Sequence, residues 1–85
     1  MTLNEALVAE IRQLVDDRGM TLMGLARVSG VSYSTLQNYV TRGKGKIPFD
    51  FAEVIAEKGF GMTLFDLLKR AQARRAEEKG GGSPK

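Results

Sequence analysis

The stretch from Thr21 to Gly43, TLMGLARVSGVSYSTLQNYVTRG, decides how this chain folds. Ser29-Gly30-Val31 divides it into two short helices joined by a tight turn. Thr21 suits the cap of the first helix and Ser32 the cap of the second, because a short side-chain oxygen satisfies free amides at a helix start. Leu25, Ala26 and Val28 are expected to face inward from the first helix, and Leu36, Tyr39 and Val40 from the second. Closely crossing helices need a small residue where they touch, which Ala26 supplies. The turn needs a residue that tolerates positive φ, which Gly30 supplies four positions later.

Charge around this pair is segregated. No acidic residue lies between Asp17 and Asp50, while Arg18, Arg27, Arg42, Lys44 and Lys46 all do. The acids gather at both ends, so a net charge of +3 hides one basic flank on a near-neutral body. Cations placed for phosphates, next to a helix with a free polar face, suit a reader of duplex DNA.

The remaining elements follow from periodicity. Thr2 and Glu5 have capping-box spacing, and Leu7, Ile11, Leu14 and Val15 form one apolar stripe ending at Gly19. Arg42-Gly43-Lys44-Gly45-Lys46 reads as a flexible basic loop, and Pro48 fits the first turn of a fourth helix. Phe51, Val54 and Ile55 face inward there, and Gly59 ends it. Thr63 and Asp66 resemble another cap, before the stripe Leu64, Leu67, Leu68 and Ala71. Beyond Ala71 there is high helix propensity but little to bury, so fraying is expected. Gly80 to Lys85 is linker-like. The reading is an all-α, compact five-helix domain over residues 1–70, with a helical extension and flexible basic tail over 71–85.

Eighty-five residues leave room for one small domain. With no cysteine and no histidine, disulfides and thiolate chemistry are excluded, and zinc sites effectively so. No histidine base, cysteine nucleophile or metal cluster is available, so no enzyme, metal or cofactor is expected. Gly43-Lys44-Gly45-Lys46 lacks the preceding strand and the Lys-Ser/Thr of a nucleotide-phosphate loop. The start of the chain lacks a signal-peptide pattern and no apolar run approaches membrane-spanning length, so the bacterial cytoplasm is the expected compartment.

Leu25-Ala26, Gly30-Val31-Ser32, Ser34-Thr35-Leu36 and Arg42-Gly43 resemble the Cro and phage-repressor type of helix-turn-helix, the lambda-repressor-like superfamily. Pro48, Gly59 and Met62 to Leu68 extend the resemblance to about residues 4–70. It implies a five-helix domain that binds operator DNA as a transcriptional regulator, often as a dimer. Two positions depart from the pattern. Leu22 stands where the family commonly has a phosphate-contacting glutamine, and Thr41 where it often has an acid.

The expected base readers are Gln37 and Asn38, which can pair bidentately with adenine, together with Ser34 and Tyr33. Their bland alternatives are a solvated polar face and a helix-start residue. Expected phosphate contacts are Thr21, Arg27, Ser32, Thr41, Arg42, Lys44 and Lys46, against the alternative of a solvated loop and helix ends. Arg74 and Arg75 are read as supporting the last helix, with Arg74 paired to Glu78. Phe60, Met62 and Phe65 either cap the monomer core or leave an apolar patch for a homodimer near the fifth helix. The expected partner is double-stranded operator DNA, bound by a phage-type repressor. A restriction-modification controller or plasmid regulator would look similar. An antitoxin or adaptor would need apolar residues on the second helix of the motif, where Ser34, Gln37 and Asn38 are polar. Single-stranded RNA recognition is disfavoured by the scarcity of aromatics free for stacking.

Overall fold

The computed structural model describes residues 1–82, and side chains through Glu77. Five helices occur in chain order: α1 (Leu3–Asp17), α2 (Leu22–Ser29), α3 (Tyr33–Val40), α4 (Phe49–Val54) and α5 (Leu64–Gly82). No strand occurs among the described residues. No described helix is long and apolar enough to cross a membrane.

The caps that local sequence demands are present. Thr2 Oγ1 accepts the Glu5 N–H at 3.0 Å and Glu5 Oε1 accepts the Thr2 N–H at 2.7 Å, a closed capping box. Thr21 Oγ1 accepts the Gly24 N–H, Ser32 Oγ the Thr35 N–H, and Thr63 Oγ1 the Asp66 N–H. Gly30 closes α2 at φ 73°, and its N–H returns to the Ala26 carbonyl at 2.9 Å. Pro48 sits one residue earlier than expected, at the N-cap of α4.

One core unites these elements. Leu7, Ile11 and Leu14 of α1, Leu25 and Ala26 of α2, and Leu36 and Val40 of α3 are all buried. They meet Ala52, Ile55, Ala56 and Phe60, and Leu67 and Ala71 of α5. α1 lies along α5, and α2 packs on both α3 and the segment after α4. Tyr39 sits at the core's edge, its ring 5.2 Å from that of Phe51 in a T-shaped contact.

The segment after α4 is a π-helical turn, Ile55–Gly59, closed by the Phe60 N–H on the Ile55 carbonyl at 3.1 Å. Gly59 does end this helix, but for a reason of packing. A Cβ added to it would stand 2.5 Å from Leu25 Cδ1 and 2.8 Å from Ser29 Oγ. The backbone of the π-turn therefore presses on α2 at a distance only glycine permits. Ser29 is buried in this seam, and its hydroxyl has no hydrogen-bond partner among the described residues.

Two expectations are corrected, at Val28 and at the end of α5, and the alternatives open for Phe60, Met62 and Phe65 are divided among them. Val28 is 53% exposed rather than inward. The buried face of α2 passes through Leu22, Leu25, Ala26 and Ser29, and helical rotation carries Val28 off its edge. Phe60 is buried and leaves no patch, whereas Phe65 is 69% exposed and half-buried Met62 packs on the core. Arg74 pairs with Glu10 of α1, Nε to Oε1 at 3.3 Å, and Arg70 approaches the same carboxylate at 3.6 Å. The side chain of Glu78 lies outside the described residues. Finally, α5 continues as helix through Gly82, past the onset of the linker-like composition. Glycine disfavours helix without forbidding it, so the composition sets no sharp end. Ser83 to Lys85 lie outside the described residues.

Candidate nucleic-acid interface

α2 and α3 form a helix-turn-helix in which α2 is a buried brace and α3 is half free. Leu36 and Val40 anchor α3 from below. Ser34 is exposed on its outer side, with Gln37 and Asn38 half-buried beside it. The backbone at both latter positions is occupied. The Gln37 carbonyl accepts the Thr41 and Arg42 N–H groups at 2.8 and 3.1 Å, and the Asn38 carbonyl accepts the Lys44 N–H at 2.9 Å. Their side-chain amides make no hydrogen bond among the described residues, and neither does the Ser34 hydroxyl. A backbone held by hydrogen bonds, with side-chain donors and acceptors unspent among the described residues, suits direct readout of a base edge.

Tyr33 opens α3 and is half-buried, its ring partly against the core. Thr21 and Ser32 are exposed caps whose oxygens already accept a backbone N–H, which leaves each hydroxyl proton to donate. Arg27, Thr41, Arg42, Lys44 and Lys46 are all exposed, and the four cations form no ion pair among the described residues. Arg18 does not belong with them. Its guanidinium donates to the Phe60 carbonyl at 2.8 Å and lies over the Phe60 ring, 5.5 Å from the centroid. It closes the core at the end of the π-turn.

Leu22, in the place where the resembled family has glutamine, is half-buried and packs on the core. Its side chain offers no donor for a phosphate. The loop after α3 is more constrained than its glycines suggested. Asn4 of α1 reaches across and bonds it at two points, while Ile47 is buried just beyond the last lysine. Local sequence holds no signal for Asn4, because its partners lie more than forty residues away.

The chain matches no protein-family model and no curated protein sequence. It is similar in structure to the clp gene regulator ClgR from Corynebacterium glutamicum, seen in a crystal structure. The TM-score is 0.79 at 28% sequence identity, covering 95% of this chain and 84% of that one. The likeness spans all five helices rather than the α2–α3 pair alone, which supports a regulator-type helix-turn-helix fold.

Proposed function

We propose that this chain is a sequence-specific, double-stranded DNA-binding transcriptional regulator. α3 lies in the major groove, Ser34, Gln37 and Asn38 read base edges, and Arg27, Arg42, Lys44 and Lys46 hold the backbone. The observation that carries the reading is the polar face of α3, unspent among the described residues and flanked by cations that have no acidic partner there. The structural neighbour is itself a gene regulator, which favours the same role here. The resemblance to phage repressors narrows this to a repressor of phage or prophage type that blocks polymerase by occupying an operator. Such a mechanism needs no cofactor and no catalysis.

A homodimer through the α5 region is part of the same proposal, with exposed Phe65 as its apolar contact. Two α3 helices would then read half-sites about 34 Å apart, or a multiple of that spacing. Selection from a randomised duplex library at near-physiological salt tests both parts. An enriched palindrome supports specific recognition by a dimer. An enriched asymmetric site keeps the recognition and removes the dimer. Binding that shows no enrichment and vanishes as salt rises contradicts the reading and favours a protein-interaction module on this fold.

A further inference from the structure

Asn4 sits in the first turn of α1, remote in sequence from the motif. Its Oδ1 accepts the Ile47 N–H at 2.8 Å, and its Nδ2 donates to the Gly45 carbonyl at 3.4 Å. These two bonds span Lys46, so one side-chain amide grips the backbone on both sides of an exposed cation. On the other side of the loop, the Lys44 N–H is tied to the Asn38 carbonyl of α3 at 2.9 Å. Ile47, buried at 7% exposure, plugs the loop's end into the core.

From these contacts we infer that Asn4 is a positioning residue for DNA binding, acting through Lys44 and Lys46. The inference rests on the DNA-binding reading above. Its physical basis is conformational entropy. The loop holds two left-handed glycines, Gly43 at φ 63° and Gly45 at φ 77°. Glycine leaves many alternative conformations open, and ordering each residue costs conformational entropy. Without Asn4 the ordering cost falls on the binding step. With it, the loop is ordered before DNA arrives, and the lysines present their charges at a fixed offset from α3. Asn4 carries no charge, so it adds nothing to counterion release. It changes how often the lysines are correctly placed, which a salt titration separates from a lost cation.

The test is a double-mutant cycle on the full chain, binding a duplex selected by the wild-type protein. Asn4→Ala is made alone and on a Lys44→Ala/Lys46→Ala background, and each variant is titrated over a range of salt. Alone, Asn4→Ala is expected to weaken binding about tenfold or less, with the salt slope unchanged. On the lysine-free background it is expected to have almost no effect, because the groups it positions are gone. Amide hydrogen exchange at Ile47 checks the cause without DNA, and protection there should be lost in Asn4→Ala. An equal loss of affinity on both backgrounds overturns the inference, since it marks general destabilisation of the domain. No loss on either background overturns it as well. A wild-type chain that binds no duplex removes the DNA-binding reading, and this inference with it. A wild type that binds, with an additive cycle, removes the inference alone.

Discussion

α2 meets two neighbours, and the two contacts are built on opposite terms. Toward the π-turn, Leu25 and Ser29 press on the backbone at Gly59 with no space for a single added carbon. On the far side of the motif, Ser34, Gln37 and Asn38 of α3 carry side chains that bond to nothing among the described residues. The seam is part of the core that holds the fold together, whereas the polar side chains of α3 bond to nothing among the described residues. Residues whose removal would leave the fold intact are the ones free to serve a partner. The same division separates the cations. Arg18, bonded to Phe60, belongs to the fold, whereas Arg42, Lys44 and Lys46 belong to the surface.

The comparison breaks most sharply at Leu25, which is fully buried against the seam. Leu25→Ala is expected to destabilise the domain by about 2–5 kcal/mol, read by denaturant unfolding. A cost below 1 kcal/mol would show that the seam is loosely packed. Gly59→Ala attacks the same contact from the other side by overfilling it. A loss of about 1–3 kcal/mol is expected, a melting-temperature fall of many degrees in a domain of this size. On the opposite side, Lys44→Ala with Lys46→Ala should leave unfolding unchanged. It should lower the slope of log affinity against log salt by about one per lysine, equally on specific and nonspecific duplexes. The smallest effect is expected at Val28. As an exposed residue, Val28→Thr should shift stability by no more than about 0.5 kcal/mol. A larger loss would mean that this side of α2 is covered in solution.

Much of this division is legible in the chain itself. Thr2, Thr21, Ser32 and Thr63 announce helix starts because a cap is a local contact over three residues. Gly30 and the apolar stripes of α1 and α5 are legible for the same reason. What escapes is made by assembly. The π-turn at Ile55–Gly59 changes no composition, only the hydrogen-bond register. The Glu10 pairing with Arg74, and the grip of Asn4 on the loop, join residues far apart in sequence. Val28 differs from expectation, and Phe60 and Phe65 part ways, because inward and outward depend on where neighbouring elements lie. In the candidate site the residue types and charges are legible, whereas the Asn4 contacts that hold the loop are not.

The polar face of α3 is expected to carry sequence information and little stability. Gln37→Ala with Asn38→Ala, measured as the affinity ratio between a selected and a scrambled duplex, tests it most directly. Thermal unfolding should be unchanged and the ratio reduced by at least tenfold, since each bidentate base contact is worth about 1–3 kcal/mol. Wild-type discrimination in a double variant that still folds would contradict it and move base reading away from α3.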